Sequence, residues 1–264
     1  MKLENPVVKK LFFVTGVMRS GTTLLQRVIS LSCKSAYIRE ESSLRVILDS
    51  FEILDRDNAF HILSRAEYIL QYRRFIDEIL AQSHQIMNEE TLVLKDPLSL
   101  RILPCFQELM PATKFVISVR NPLATITSIN RVAANQRNQG KKSFISAMGF
   151  NNAVDYVSRL CDVIIAMQGR QNVCIVRYED LIARDSEALS GLQEFIGAEI
   201  RLDLEDTSDT YDPEDAFWTP ESGAEIKSSS LDKYKSVLTD EQKNIVNSRF
   251  VKFNIQFGYD GNNK

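Results

Sequence analysis

Four times along this chain a short apolar run stops abruptly at polar residues and gives way to a helical pattern. Leu11 to Thr15 runs into the turn Gly16 to Gly21, after which Leu24, Leu25, Val28, Ile29 and Leu31 recur at helical spacing. Thr91 to Leu94 ends at Lys95-Asp96-Pro97, ahead of a helix expected over Ser99 to Met110. Lys114 to Val119 ends at Arg120-Asn121-Pro122, ahead of a helix from Leu123 to Ala134, and Asn172 to Val176 ends at Arg177-Tyr178-Glu179-Asp180 before another. Short buried strands alternating with helices specify an α/β fold, a central parallel sheet flanked by helices on both faces. Ligands of such sheets bind outside the carboxyl ends of the strands. The polar residues at the four strand ends are therefore expected to converge on one crevice.

A length of 264 residues suits one such domain, spanning 1–264. The hydrophobic fraction of 44% and charged fraction of 25% argue against a disordered or membrane-embedded chain. A net charge of −3, from 32 basic and 35 acidic side chains, supplies no field to gather nucleic acid, so an anionic ligand needs a local cluster of donors. Cys33, Cys105, Cys161 and Cys174 form no CxxC pair and read as reduced thiols rather than zinc ligands. The run after Lys9 and Lys10 is too short for a membrane span and lacks a cleavage pattern; a cytoplasmic location and no membrane partner are expected. Phe60 to Met87, Ser143 to Met167 and Thr239 to Phe253 carry helical spacing, whereas Asn135 to Lys142 and the acidic Glu199 to Ser230 read as loops facing substrate or solvent.

GVMRSGTT at Gly16 to Thr23 follows a strand and opens a helix, the setting in which backbone N–H groups hold a phosphate. Set against the triphosphate loop GxxxxGK[ST], Gly16, Gly21 and Thr23 fall in place, but Thr22 stands where the lysine belongs and Arg19 brings the cation into the loop instead. One Arg, two hydroxyls and several amides suit a 5′-phosphate bearing a sulfuryl group, without a bridging metal. RSGTTL at Arg19 to Leu24 resembles the 5′-phosphosulfate loop of sulfotransferases that use 3′-phosphoadenosine 5′-phosphosulfate (PAPS).

That resemblance implies a P-loop-like nucleotide-binding fold, PAPS as donor, 3′,5′-adenosine bisphosphate (PAP) as product, and no metal. It assigns Arg19, Ser20, Gly21, Thr22 and Thr23 to the 5′-phosphosulfate, and Arg120 with Ser128, eight residues on, to the 3′-phosphate. VRYEDL at Val176 to Leu181 is similar to the segment near the adenine pocket and offers Tyr178 as an aromatic face; the alternative has Tyr178 packing and Asp180 capping a helix. VLKDPLSL resembles the protein-tyrosine sulfotransferase branch and puts Lys95 beside the sulfuryl group. REESSLR at Arg39 to Arg45 resembles the stretch holding that branch's catalytic glutamate: spacing from Arg19 indicates Glu40, and the Glu-Glu pair indicates Glu41. Ser222, Lys227 and Ser229 resemble a late nucleotide-binding segment.

The expected activity is sulfuryl transfer to a hydroxyl or amine of a small-molecule, carbohydrate, lipid or peptide acceptor, with a glutamate as base. His61 and His84, the sequence's two histidines, belong to a segment remote from any strand end. The alternatives are a small-molecule kinase of the P-loop class, which requires magnesium and usually the missing lysine, and an inactive nucleotide-binding module.

Overall fold

The computed structural model describes residues 10–35, 40–87, 90–203 and 231–260. Ser222, Lys227 and Ser229, and most of the acidic segment, lie outside the described residues.

Strands β1 (Lys10–Gly16), β2 (Thr91–Lys95), β3 (Lys114–Val119) and β4 (Val173–Arg177) form one parallel sheet in the order β2-β1-β3-β4. They coincide with the four apolar runs to within a residue or so at each end. The two faces follow from the twofold alternation of a strand. Phe13, Leu92, Leu94, Phe115, Ile117 and Val119 point to one core, and Phe12, Val14, Val93, Val116 and Val176 to the other.

The second of these cores is closed by α1 (Thr22–Cys33), through Leu25, Val28 and Ile29. On the larger face lie α2 (Ser43–Arg56), α3 (Arg65–Met87), α4 (Leu103–Leu109), α5 (Pro122–Asn138) and α6 (Phe150–Met167). A short helix α7 (Tyr178–Ala183) follows β4 directly, and α8 (Ser186–Ile196) returns to the α1 side with Leu192 and Ile196. The chain closes with α9 (Tyr234–Val237), α10 (Asp240–Arg249) and α11 (Val251–Phe257), whose Val246, Phe253 and Phe257 join the larger core. There Phe106 of α4 bridges Phe13 and Phe115 of adjacent strands at centroid distances of 4.4 and 5.3 Å.

Several boundaries differ from the expectation for local reasons. The helix expected from Ser99 is a 3-10 turn over Pro97–Ile102 before α4, because the Asp96 side chain caps the Leu98 N–H at 2.9 Å and winds the chain early. Helix α5 continues to Asn138 through residues read as loop, since its polar Asn, Gln and Arg side chains suit a helix as well as a turn. Gly149 stands at the N-cap of α6, which delays that helix to Phe150. The last helical stretch is split at Phe250 into α10 and α11, and His61 precedes α3 rather than lying within it.

The order β2-β1-β3 is what positions the site. The chain leaves β1 toward β2 on one side and later returns to β3 on the other, so the connections that follow β1 and β3 diverge, the position at which ligands of such sheets bind.

Candidate active site

The loop after β1 holds an uncommon backbone shape. Gly16 has φ 151° and Gly21 φ 100°, and each also lacks room for a side chain. A Cβ on Gly16 would stand 2.5 Å from the Ser118 carbonyl oxygen, and one on Gly21 would stand 2.2 Å from Cδ2 of Tyr178. Arg19 is itself left-handed, with φ 70°. Reciprocal bonds pin the loop to β3: Ser20 Oγ donates to the Ser118 carbonyl at 3.0 Å, and Ser118 Oγ donates to the Ser20 carbonyl at 2.7 Å. Ser20 is 1% exposed. Its hydroxyl thus shapes the loop, and its N–H donates to the Val17 carbonyl at 3.0 Å.

Helix α1 starts at the end of this loop with Gly21 at its N-cap, no side-chain cap and no acidic residue in its first turn. Its leading N–H groups and positive dipole end suit an anion. Thr22 and Thr23 occupy that first turn, and Thr23 Oγ1 accepts from Lys95 Nζ at 3.4 Å.

Cations arrive from three strand ends. The Arg120 guanidinium donates through Nη1 to the Arg19 carbonyl at 3.2 Å and lies over the Tyr178 ring, 4.4 Å from its centroid. Arg19 Nε in turn donates to Ser128 Oγ on α5 at 3.3 Å. Arg19, Arg120, Ser128 and Tyr178, which come from three separate stretches of chain, therefore meet at one place. Burial pulls the Arg120 pKa down, with Tyr178 and Glu179 opposing it. An arginine starts so far above neutrality that it stays charged. A buried guanidinium short of hydration is suited to an anionic partner.

The Tyr178 ring packs against the loop. One face of its ring carries Arg120 and its edge fills the space left by Gly21. Asp180 caps nothing; it pairs with Arg177 at 3.2 Å.

At the other end of the loop Lys95, 7% exposed, donates to Glu40 Oε2 at 3.1 Å as well as to Thr23. The two candidate glutamates separate here. Glu40 turns its carboxylate to Lys95 and is 46% exposed. Glu41 turns its own to the start of α2, where Oε1 accepts from Ser43 N at 2.7 Å, from Ser43 Oγ and from Leu44 N at 3.4 Å.

Two part-buried partnerships behind the site were not anticipated as pairs from the sequence. Asp96 accepts from Arg45 Nε at 2.6 Å. Glu179 accepts from the Asn121 N–H at 3.0 Å and from Tyr259 Oη at 2.7 Å, joining the start of α5 to the end of the described chain. Burial pushes Tyr259 well above its usual value, and the Glu179 carboxylate beside it acts in the same direction. For Asp96 the sequence signal is its place directly after the strand-end cation Lys95.

Among the described residues no cluster of His, Cys, Asp and Glu has the makings of a metal site, and no helix is long and apolar enough to cross a membrane. The four cysteines are unbridged, Cys161 buried and the other three half-buried.

A family model described as "Sulfotransferase family" matches residues 12–201. The chain is 25% identical over 206 residues to nodulation protein NoeE of Sinorhizobium fredii, a match covering 67% of this chain and 47% of that protein, so it spans about half the length of that relative. The sulfotransferase domain of the Synechococcus olefin synthase superposes with a TM-score of 0.57 at 18% identity, covering 92% of this chain and 94% of that one. Mouse sulfotransferase SULT7A1, solved in complex with PAP, gives a TM-score of 0.53 at 12% identity and covers 94% and 85%. At these identities the two solved structures speak for the fold.

Proposed function

The chain belongs to the sulfotransferase family, and from that premise we propose that it moves a sulfuryl group from PAPS to a hydroxyl or amine of its acceptor. The observation that carries the reading is the convergence of Arg19, Arg120 and Ser128 at one end of a phosphate loop whose other end holds Lys95 through Thr23. A nucleotide phosphorylated at both 5′ and 3′ positions needs two such anion sites a ribose apart. Bare first-turn amides, two threonine hydroxyls and three cations make a donor set that fits it.

In this reading the N-terminus of α1, Thr22 and Thr23 bind the 5′-phosphosulfate, and Ser20 and Gly21 give the loop its shape. Arg120 and Ser128 bind the 3′-phosphate, with Arg19 between the two ends. Tyr178 contributes by supporting Arg120. The chemistry that PAPS supplies is a sulfuryl group on a phosphate that leaves well. Lys95 meets the negative charge that builds where that bond breaks. Glu40 takes the acceptor's proton, since its carboxylate lies at Lys95 while that of Glu41 is engaged by the start of α2.

PAP and ATP with magnesium separate this reading from a P-loop kinase. PAP alone should raise the unfolding temperature, and ATP with magnesium should not. The reverse pattern assigns the loop to a kinase. Formation of a sulfated product from labelled PAPS distinguishes an enzyme from an inactive nucleotide-binding module.

A further inference from the structure

Asp96 is fully buried directly after Lys95 and is hydrogen-bonded by five residues. Its Oδ1 accepts from Leu98 N at 2.9 Å, and its Oδ2 accepts from Arg45 Nε at 2.6 Å and from Ser99 Oγ at 3.2 Å. Its own N–H donates to the Val14 carbonyl at 3.2 Å, and its carbonyl accepts from Thr15 Oγ1 at 3.0 Å. Asp96 is thus fixed to the last residues of β1, immediately before the phosphate loop.

Arg45 comes from a different element, the first turn of α2, and its side chain is 20% exposed. Through Nη1 it also reaches Asp49 at 3.4 Å, and Asp49 accepts from Arg101 Nη2 at 2.5 Å. Charges alternate along this row from the buried carboxylate outward. A second tie lies nearby, where Glu41 N donates to the Lys95 carbonyl at 2.9 Å. The start of α2 is therefore joined to the end of β2 at two points. Glu40 and Lys95, the pair that faces the reaction, belong to the two segments so joined.

We propose that Arg45 is a positioning residue for sulfuryl transfer: by clamping α2 to the buried Asp96 carboxylate it holds Glu40 in register with Lys95. The inference rests on the sulfotransferase reading of this site. Removing the guanidinium leaves a buried carboxylate without its cation, and of the two ties between the start of α2 and the end of β2 only the backbone one remains. A base and a cation that must act on the same small group tolerate little displacement, a shift of about 1 Å being enough to cost about a hundredfold.

The test compares Arg45→Met and Arg45→Lys, each alone and combined with Glu40→Gln. PAP affinity is measured by calorimetry, and turnover by release of label from PAPS to water or to para-nitrophenol. Arg45→Met should keep PAP affinity within about twofold while kcat falls by about ten- to a hundredfold, with the KM for PAPS little changed. Arg45→Lys, which restores the charge, should recover part of that loss. In the Glu40→Gln background Arg45→Met should cost less than about threefold more, because the group it positions has already lost its function. An unchanged kcat in Arg45→Met, an equal loss in both backgrounds, or a parallel collapse of PAP affinity overturns the proposal. A wild-type protein that fails to bind PAP or to release label contradicts the sulfotransferase reading and the inference with it; intact PAP binding with undiminished Arg45→Met turnover contradicts the inference alone.

Discussion

Gly21 shows how closely the site depends on single atoms. At φ 100° an L side chain is strained, and a Cβ there would collide with the Tyr178 ring that carries Arg120. Gly21→Ala should therefore weaken PAP binding by at least about tenfold, through backbone strain of about 1–3 kcal/mol and displacement of the ring. Calorimetric titration of PAP into the variant checks this. The cysteines illustrate the opposite case, of side chains sheltered by their surroundings. Burial pushes Cys105 up to about 12 and Cys174 up to about 11, and raises Cys161 well above its usual value. The thiolate is the reactive form, so iodoacetamide at about pH 8 should modify these residues at least about tenfold more slowly than free cysteine, the rate climbing with pH. The stability consequence has a definite sign. Unfolded thiols ionise from about pH 8.5 while the folded ones stay protonated, so their contribution is intact below that pH and declines as pH rises toward the folded values.

At the scale of elements, α2 carries two adjacent glutamates ahead of it with different work. Glu41→Ala removes the carboxylate that accepts the first N–H groups of the helix, and should cost about 1 kcal/mol of stability with PAP affinity unchanged. Glu40→Gln should do the reverse, leaving the unfolding midpoint in place and lowering turnover. Denaturant melts paired with rates on both variants test the division, and equal turnover losses would erase it. The sequence could not make this distinction, because two neighbouring acidic residues look alike until the chain direction at the start of α2 is known. Strands β1 to β4 were readable because a buried parallel strand is an uninterrupted apolar run. That Arg19, Arg120, Ser128 and Lys95 stand about one loop was legible because three of them lie at strand ends and Ser128 on the helix that follows, which the fold brings together. Arg45 with Asp96 and Tyr259 with Glu179 were not, since the partners lie 51 and 80 residues apart and pairing across such distances leaves no local pattern. The 3-10 turn after β2 was likewise hidden, since it arises from a cap whose geometry a propensity does not encode.

For the molecule as a whole, the order β2-β1-β3-β4 places an arginine after β3 against the loop after β1, and that adjacency is the basis of the proposed specificity for a doubly phosphorylated nucleotide. A fold with the same strands in another order would hold the same residues apart. The net charge of −3 provides no general attraction for anions, so discrimination has to come from the crevice itself. Comparing PAP with adenosine 5′-monophosphate isolates the 3′-phosphate, and the measurement is a calorimetric titration of both nucleotides, without magnesium, into the wild-type protein and into Arg120→Ala. A charge-assisted contact of about 1.5–3 kcal/mol predicts that the wild type prefers PAP by roughly ten- to a hundredfold and that Arg120→Ala loses most of that preference. Equal affinity for the two nucleotides in the wild type, or a preference that survives intact in Arg120→Ala, would contradict it.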